Sequence, residues 1–387
     1  MGVGMDLQFT KEQQDIKKAA REFAEKEFPE VGRACDQSEV FPFDTWRKAC
    51  ELGLIGCFVP EEYGGAGYGV SEHACIAEEF WRVDPGCGQC MCSAVIGAEV
   101  IVLFGSEEQK LGYLSPLVSG EKIMGIAITE PDSGSDAFSI STTAIRNGHD
   151  YVVNGHKTFI TNGDIGHFLV VFCVTDPEER QRYHRFSMIV VETDRPGYES
   201  TKLADKLGIR ASDTSEVWFN NIKVPSENLV GMEGEGAQYL MAFFNRSRIM
   251  VAACGVGLAQ GALERAVRHI KERRQFGRPL ADFQANRFKI AEMGTWIEAA
   301  RNLTYKAAAM ADRGILDSGQ VAMAKWFSGW TAVRCADEAL QMHGGYGYMG
   351  EYDVSRFYRD AKILEIYEGT KEVEKELVAR SLLKRPF

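Results

Sequence analysis

The chain has 387 residues, of which 45% are hydrophobic and 26% charged, and its net charge is −11. These proportions are those of an ordinary soluble globular protein, and the length predicts two or three packed lobes. An acidic chain is a poor partner for nucleic acid, because phosphate backbones are bound by basic surfaces. We therefore expect no nucleic-acid partner, although local basic clusters could still bind an anionic ligand.

The N-terminus does not resemble a signal or transit peptide, because Asp6, Glu12 and Asp15 come early and no apolar segment follows. We find no stretch with the ~18 apolar residues of a membrane span. The scattered cysteines favour reduced thiols, so we predict a cytoplasmic protein without a membrane span. Cys87, Cys90 and Cys92 form the only dense group of cysteines and lack an evident fourth metal ligand. We interpret these three as small buried helix residues and predict no metal site.

Residues 6–120 have the periodicity of helices. The predicted starts and ends, in chain order, are a capping box at Thr10 and Gln13, a stop at Pro29, a start at Asp44, a stop at Gly53, a start at Ser71, an apolar helix over 88–104 and a start at Ser106. This first lobe is assigned to residues 1–122.

From about residue 123 the pattern changes to short runs rich in β-branched and aromatic residues. Examples are DYVVNG, FLVVFCVT and FSMIVVE, separated by turn signals such as Asn147-Gly148. Several short strands at this spacing predict a small antiparallel barrel or sandwich over residues 123–235. Long periodic segments then return over 236–387 and predict an antiparallel helical bundle. Its helices are expected over Ala237–Arg274, Gln284–Arg313, Gly319–His343 and from about Lys371 onwards.

The segment CGVGLAQG, with Gly255, Gly257 and Gly261, imitates a dinucleotide-binding glycine loop. Such a loop needs a preceding strand and an acidic residue about twenty positions later. Helical periodicity instead continues through the segment. We interpret the glycines as sites of close helix packing.

Two further stretches have both a structural and a functional interpretation. TEPDSGSD (129–136) forms a tight polar loop with exposed N–H groups, suited to the edge of a planar ring or to a phosphate, but it is also an ordinary loop composition. ERRQFGRPLADFQ (272–284) is either a basic interhelical turn or a binding segment for pyrophosphate and adenine.

The stretch ILEIYEGTKEV (363–373) contains Glu365, Glu368 and Glu372, three and four residues apart. This spacing is typical of a solvated helix face. Gly369 favours a special backbone angle directly after Glu368, which a regular helix does not need. The spacing leaves both interpretations open.

Taken together, these stretches resemble the acyl-CoA dehydrogenase family of FAD-dependent flavoproteins. The resemblance rests on an ordered series of motifs: VPEEYGG (59–65), TEPDSGSD (129–136), NGHKTFITN (154–162), VPSENLVG (224–231), RRQFGRPLADFQ (273–284), QMHGGYGYMGEY (341–352), RFYRDAKI (356–363) and IYEGT (366–370). It implies an α+β fold with an N-terminal helical domain, a middle β-domain and a C-terminal four-helix bundle.

By this resemblance Glu368 is the catalytic base that removes a proton next to the thioester carbonyl while the β-carbon passes a hydride to FAD. Desolvation by apolar neighbours and the flavin would raise the pKa of Glu368. The missing side chain at Gly369 would let substrate and flavin approach, and the Glu368 N–H could polarise the thioester oxygen.

The resemblance also assigns binding residues. Those for FAD are Ile126, Ala127, Ile128, Thr129, Gly134, Ser135, Phe159, Ile160, Thr161, Arg273, Gln275, Phe276, Gln284, Gln341, Gly344, Gly345, Thr370 and Glu372. Those for the acyl-CoA are Ser135, Asn245, Arg248 and Gly369. Arg273 and its neighbours are expected to reach the FAD of another subunit, which implies a homotetramer. An electron-transfer flavoprotein is the expected electron acceptor.

Three positions depart from patterns known in the family. Asn245 replaces a common aspartate, and Ser247 stands where some branched-chain members carry their base, which supports Glu368. Cys87 stands where members that act on glutaryl thioesters have an arginine. We therefore expect a short, branched or alicyclic monocarboxylic acyl group, for example of the cyclohexanecarboxyl type. The side chains expected at the pocket floor are Cys90, Met91, Cys92, Met241 and Phe244.

Two alternatives stay open at this point. The first is an acyl-CoA oxidase that uses oxygen, although oxidases are usually longer. The second is a flavin- or CoA-binding protein without catalytic activity, which the intact Glu368-Gly369 pair disfavours.

Overall fold

The computed structural model describes residues 9–384 and contains a helical, a β and a second helical lobe in chain order. The helices of the first lobe are α1 (Lys11–Ser38), α2 (Phe43–Glu51), α3 (Val70–Val83), α4 (Pro85–Ser93), α5 (Ala98–Phe104), α6 (Glu107–Gln109) and α7 (Ser115–Val118), with a π-helical turn (Lys110–Leu114) between the last two. The predicted capping box at Thr10 is present, and the helix predicted to start at Ser106 does so, with a capping box of its own. The predicted helical residues 6–8 lie outside the described range.

The prediction that Pro29 ends the first helix was wrong, because α1 continues to Ser38. A proline inside a helix removes one hydrogen bond and costs about 3 kcal/mol. Here the following turns are fixed by packing, since Gly32 and Cys35 are buried. A Cβ atom on Gly32 would lie only 2.4 Å from the carboxylate of Asp84. Tertiary contacts therefore outweigh the local signal.

The apolar segment expected as one helix over 88–104 is divided into α4 and α5 at Gly97, whose φ is +99°. Contrary to the sequence-based statement, Pro85–Phe104 is long and apolar enough for a membrane span, with a mean hydropathy of 1.8. Its apolar character comes mainly from the aliphatic residues and the phenylalanine of its second half, VIGAEVIVLF (95–104). Because 78% of the segment is buried inside the protein, it also fits a core helix pair, and the expectation of no membrane span stays a prediction.

The middle lobe is a curled seven-stranded sheet with the order β1-β4-β2-β3-β7-β6, in which β5 also pairs with β4. The strands are β1 (Met124–Ala127), β2 (Thr143–Asn147), β3 (Asp150–Thr161), β4 (Phe168–Val174), β5 (Phe186–Glu192), β6 (Tyr198–Lys202) and β7 (Thr214–Pro225). The β2–β3, β3–β7, β4–β5 and β6–β7 pairs are antiparallel, whereas β1 and β2 lie parallel to β4. No crossover helix lies between β1 and β4, because the β2–β3 hairpin fills that part of the chain.

Strand β4 connects the sheet to the helices, because both of its faces are buried. Phe168 and Phe172 belong to the core that the helices form, while Leu169 and Val171 belong to the core inside the curled sheet. Since β1 pairs with β4 along its whole length, the position of β1 relative to the helices is fixed as well.

The third lobe is built on the long helices α8 (Gly236–Glu272), α9 (Gln284–Ala311) and α10 (Ser318–His343). A short hairpin, β8 (Arg274–Gln275) and β9 (Arg278–Pro279), joins α8 to α9. The chain ends with α11 (Val354–Ala361) and α12 (Lys371–Leu383). Helix α11 was not predicted, because its eight residues are too few to show a clear period.

The glycines that imitate a dinucleotide-binding loop lie inside α8, which excludes that interpretation. A Cβ atom on Gly257 would lie 2.1 Å from the carbonyl oxygen of Glu78, and one on Gly261 would lie 2.1 Å from that of Arg82. Gly255 faces the backbone of Ser328 in the same way, at 3.0 Å. These glycines let α8 pack directly against the backbones of α3 and α10.

We predict that Gly257→Ala lowers the thermal unfolding midpoint, because the added methyl group meets backbone that cannot move aside. The free energy of unfolding should fall by about 1–3 kcal/mol, as in other overpacked cores. Gly294→Ala is the matched control, since this helical glycine of α9 has open space at its Cβ position. It should raise stability by up to ~1 kcal/mol through helix propensity. Equal effects of the two substitutions would contradict this explanation.

Candidate active site

Glu368 lies in the loop between the 3₁₀ helix Lys362–Glu365 and α12. Its φ is +55°, and that of Gly369 is +105°, so two consecutive residues adopt the left-handed region. For a residue with a side chain this conformation costs about 1–3 kcal/mol and persists only where the surroundings enforce it. The loop therefore needs strong external contacts.

Two buried cations supply these contacts. Arg248 of α8 donates from Nε to the carbonyl oxygen of Glu368 at 2.8 Å, and Lys325 of α10 donates from Nζ to the carbonyl oxygen of Gly369. Both side chains are buried, and burial lowers the pKa of Lys325 to about 8, although Glu374 and Glu368 oppose this shift. Two helices thus hold two successive carbonyl groups.

Glu374 explains why residue 369 is a glycine. It is fully buried on α12, and its Oε1 lies 3.2 Å from Nε of Arg248. A Cβ atom on Gly369 would lie 2.2 Å from the same oxygen. The glycine is thus required by its positive φ and by packing against Glu374, a reason different from the access for substrate that the sequence suggested. Burial raises the pKa of Glu374 to about 7, with Arg248 and Lys325 opposing the rise.

The carboxyl group of Glu368 is oriented by Ser247, whose hydroxyl donates to Oε2 at 2.7 Å. The residue is half-buried, and desolvation raises the pKa of its carboxyl, while Ser247, Arg248 and Lys325 oppose the rise. A carboxylate that is fixed in place and more basic than usual can act as a general base.

The alternative in which three glutamates form one solvated helix face is wrong. Glu365 is buried and pairs with Lys362 at 2.5 Å, Glu368 lies in the left-handed loop, and Glu372 is exposed on α12. The spacing of three and four residues is therefore not a helical period here.

The first group of predicted FAD residues converges at the ends of β1 and β3. The backbone N–H of Thr158 donates to the carbonyl oxygen of Thr129 at 3.0 Å. A Cβ atom on Gly125 would lie 2.4 Å from the carbonyl oxygen of Thr161, so the two strands touch. The side chain of Asn162 fixes this junction by donating to the carbonyl oxygens of Ser93 and Met124, both at 2.8 Å. The residues brought together are Ile126, Ala127, Ile128 and Thr129 with Phe159, Ile160 and Thr161.

A buried ion pair that the sequence analysis missed supports this junction. Lys157 is fully buried, donates to the carbonyl oxygen of Ile128 at 2.8 Å and lies 3.0 Å from Oε1 of Glu130. Burial opposes ionisation of Glu130, but Lys157 and hydrogen bonds from Ser141 and Thr142 lower its pKa to about 2. A lysine inside a strand of otherwise mixed polarity gave no distinct sequence signal.

The residues at this junction fit a planar, polar-edged group such as the FAD ring. Phe159 has a left-handed φ of +57° and is 68% exposed. The backbone N–H groups of Gly134 and Ser135 have no hydrogen-bond partner in the described part of the chain. An aromatic surface held outward in a strained conformation and free backbone donors are both typical of ligand sites.

The second group of predicted FAD residues lies elsewhere, at the surface around the β8–β9 hairpin. Phe276, with φ of +51°, is 92% exposed. The guanidinium of Arg273 lies 5.3 Å from the ring centre of Tyr346. This contact brings Arg273 to the segment that holds Gly344 and Gly345. The exposed members of the group are Arg273, Gln275, Phe276, Gln284, Gln341, Gly344 and Gly345.

Within residues 9–384, no hydrogen bond or ion pair joins this surface group to the junction of β1 and β3. Thr370 uses its hydroxyl to cap α12, accepting from the N–H of Val373 at 3.4 Å. Asn245 is half-buried on α8, and its Oδ1 has no partner among the described residues. The roles assigned to these residues in binding FAD and CoA stay predictions.

The cysteines predicted at the pocket floor are buried in α4 as free thiols, and Met91 is buried beside them. Met241 and Phe244 are half-buried on α8. In the described part of the chain, no group of three or more His, Cys, Asp or Glu side chains could hold a metal ion.

Lys325 and Glu374 were also missed from the sequence. A lysine within the apolar run VAMAKWF is a weak signal of a buried charge, but nothing in the spacing relates it to residue 368. Its partner becomes visible only when α10 and α12 are packed together.

Three family models match the chain. They are the acyl-CoA dehydrogenase N-terminal domain over residues 10–121, the middle domain over 125–222 and the C-terminal domain over 234–383. An acyl-CoA dehydrogenase of Bacillus subtilis (strain 168) is 42% identical over 97% of this chain and 99% of its own length. The cyclohex-1-ene-1-carbonyl-CoA dehydrogenase of Syntrophus aciditrophicus (strain SB) is 40% identical over 97% of this chain and 91% of its own length.

The fold is also found in a solved structure described as the electron-transferring flavoprotein of Acidaminococcus fermentans. That structure concerns the mechanism of flavin-based electron bifurcation. A chain in it matches with a TM-score of 0.95 and 42% identity, covering 98% of this chain and 100% of that one. Family members and structural neighbours bind FAD, in agreement with the predicted cofactor. The matched domains, the order of the helical and β lobes and the identity over nearly the whole length show that this chain belongs to the acyl-CoA dehydrogenase family of flavoenzymes.

Proposed function

We propose that the protein catalyses α,β-dehydrogenation of an acyl-CoA thioester to the trans-2-enoyl-CoA, with Glu368 as the general base. The observation that carries the proposal is the fixed carboxyl of Glu368, held by Ser247 at 2.7 Å on a left-handed backbone. A carboxylate whose pKa is raised by burial takes up a proton more readily than an exposed one.

Each group at the loop has a distinct task in this proposal. The carboxylate of Glu368 takes the proton from the carbon next to the thioester carbonyl. Its backbone N–H has no partner among the described residues, so it is free to donate to the thioester oxygen and stabilise the developing enolate. Bound FAD supplies the acceptor for the β-hydrogen and its electron pair.

The two groups of FAD residues support a cofactor shared between subunits. In this proposal the residues at the junction of β1 and β3 would hold the isoalloxazine, and Arg273 and Phe276 would bind the FAD of a neighbouring subunit. An aromatic side chain that is 92% exposed on a strained backbone favours a partner surface at this position. The proposed enzyme is a cytoplasmic homotetramer. In each chain we propose domain boundaries at about residues 122 and 235.

An electron-transfer flavoprotein is the proposed electron acceptor. Its support is the match to a chain in the electron-transferring flavoprotein structure. The acyl group is proposed to be a short, branched or alicyclic monocarboxylic one, which the relative acting on cyclohex-1-ene-1-carbonyl-CoA supports. If α4 lines the acyl pocket as expected, its small, buried Cys90 and Cys92 are compatible with a compact acyl group.

The first prediction of the proposed function concerns the base. Glu368→Gln keeps the shape of the side chain but removes the basic oxygen, so FAD and acyl-CoA should still bind. Flavin reduction by substrate should fall by at least ~10³-fold, within the usual range for a lost general base. Glu368→Asp should retain more activity than Glu368→Gln. Stopped-flow absorbance of the anaerobic half-reaction measures both.

The matched control is Glu372→Gln, in which an exposed carboxylate four residues away is neutralised. It should leave the rate of flavin reduction by substrate largely unchanged at saturating FAD. Near-normal reduction in Glu368→Gln would remove the assignment of Glu368 as the base.

The second prediction concerns Ser247. Its hydroxyl stabilises the ionised form of Glu368, so Ser247→Ala should raise the pKa of this carboxyl further. Because the base acts when ionised, the rate increases with pH through that pKa. The ascending limb of the rate profile should therefore move to higher pH. Ser328→Ala, a buried serine of α10 bonded to the Lys325 carbonyl oxygen, should leave the limb in place. An unmoved limb in Ser247→Ala would contradict the proposed coupling.

The third prediction separates the dehydrogenase from the oxidase and from an inactive binding protein. The reduced enzyme should reoxidise slowly in air and rapidly with an electron-transfer flavoprotein, measured by the recovery of flavin absorbance. Fast reoxidation by oxygen with formation of peroxide would favour the oxidase. A yellow preparation that no acyl-CoA bleaches would favour the binding protein.

A further inference from the structure

The motif RFYRDAKI (356–363) has no role in the reaction as described above. Its first residue, Arg356 on α11, is 7% exposed and pairs with Asp84, which is 1% exposed. Both Nε and Nη2 of Arg356 donate to Oδ2 of Asp84, at 3.1 and 2.5 Å. Helix α1 covers the pair, because Gly32 lies directly against the Asp84 carboxylate. A buried ion pair adds little net stability, since desolvation cancels much of its attraction, so its geometry is the more informative feature.

Asp84 fixes the start of α4. It is the single residue between α3 and α4, and its N–H donates to the carbonyl oxygen of Phe80 at 3.1 Å. Its Oδ1 accepts from the N–H of Cys87 at 2.9 Å and so caps the first turn of α4. One carboxylate therefore caps α4 with one oxygen and binds Arg356 with the other. A displacement of Arg356 would be passed directly to the first turn of α4.

A second side-chain pair joins α4 to the segment that carries the base. The hydroxyl of Tyr367, the residue directly before Glu368, donates to Oε1 of the buried Gln89 at 3.3 Å. Asp84 and Gln89 are five residues apart, which is about 7–8 Å along a helix axis. Two attachment points at this separation restrict both the translation and the rotation of α4. The residues expected at the pocket floor on this helix, 90–92, follow Gln89 directly.

The path from α11 to the base is short and closely packed. Helix α11 continues without a break into the 3₁₀ helix Lys362–Glu365. A Cβ atom on Gly329 of α10 would lie 2.6 Å from the carbonyl oxygen of Leu364, so this 3₁₀ helix rests on the backbone of α10. Only two residues separate it from Glu368. The positions of α11 and of the base are therefore linked.

We propose that Arg356 and Asp84 are positioning residues for the dehydrogenation, because they fix α4, the expected floor of the acyl pocket, relative to Glu368. This deepens the proposed function and rests on it. The α-carbon of the substrate must lie within reach of the base while the acyl chain lies against α4. The separation of Glu368 and α4 then decides which acyl groups react. Neither charged side chain touches the substrate, since both act through their helices.

Another ion pair of α11 provides a matched control. Arg359 pairs with Asp36 of α1 at 2.6 Å, and both side chains are half-buried. Arg359 also donates to the carbonyl oxygen of Leu207 at 2.9 Å. These partners belong to α1 and to the loop after β6, so the loss of Arg359 loosens α11 without releasing α4.

The test first measures stability in the holoenzyme, by thermal unfolding followed with circular dichroism. Arg356→Met leaves a buried carboxylate unpaired, so its Tm should fall. The double variant Arg356→Met with Asp84→Asn removes both charges and keeps a capping side chain, because asparagine caps helices as well as aspartate. Its Tm should recover most of the loss.

The reaction should not recover with stability. At saturating acyl-CoA, flavin reduction should be ~10²-fold slower in both variants, as for a displacement of about 1 Å in a positioned site. The half-saturating concentration should change little, because the CoA moiety does not contact α4 in this proposal. The ratio of the rates for a short straight and a bulkier alicyclic acyl-CoA should move towards one. Arg356→Lys, which keeps the charge, should retain more of the limiting rate than Arg356→Met, and Arg359→Met should leave rate and ratio largely unchanged.

Stopped-flow absorbance of the anaerobic half-reaction measures these rates, and its outcomes are distinguishable. Recovery of both Tm and limiting rate in the double variant would overturn the inference, because the pair would then act on stability alone. An equal loss of rate in Arg359→Met would overturn it too, since any loosening of α11 would suffice. So would an unchanged rate ratio in Arg356→Met. In these three cases the proposed dehydrogenation stands, whereas wild-type flavin that no acyl-CoA reduces would overturn the proposed function and the inference with it.

Discussion

The left-handed backbone at Glu368 and Gly369 is the constraint on which the rest of the site depends. A residue with a side chain does not stay at φ of +55° unless its neighbours hold it there. Arg248 and Lys325 hold the two carbonyl groups, and Ser247 holds the carboxyl. These residues come from α8 and α10, so the helical bundle fixes the conformation of one short loop. The glycines of α8 let it pack directly against the backbones of α3 and α10, which holds the helices around the loop together.

The groups that hold the loop are buried charges of opposite sign. Arg248 and Lys325 carry positive charge, and Glu368 and Glu374 are the acidic groups beside them. Buried ion pairs are weak contributors to stability, because desolvation cancels much of their attraction. Their value here is directional: each cation donates to a particular carbonyl oxygen, which an apolar side chain of the same volume could not do. The arrangement therefore fixes the geometry of the base at some cost in stability.

The junction of β1 and β3 is likewise held by buried polar side chains. Lys157 and Glu130 are buried together, and Lys157 donates to the carbonyl oxygen of Ile128. Asn162 adds contacts to α4 and β1. Because β1 pairs with β4, whose two faces join the sheet core to the helical core, the loop after β1 has a fixed position. The Glu368 loop and the β1–β3 junction are thus both backbone segments that buried polar side chains hold in place.

The amino-acid sequence alone predicts the order of the helical and β lobes, the helix starts at Thr10 and Ser106, and the family to which the motif series belongs. These features are local or ordered along the chain, so periodicity, caps and motif order are enough to find them. Three other features are visible only in the folded protein: α1 continues past Pro29, the glutamates of the 363–373 stretch do not share a helix face, and Gly369 packs against Glu374. The tertiary structure alone brought Lys325, Glu374 and Lys157 to their places. Each of these depends on a contact between residues far apart in the chain, where burial and charge pairing outweigh local propensity, and no spacing rule encodes such a contact.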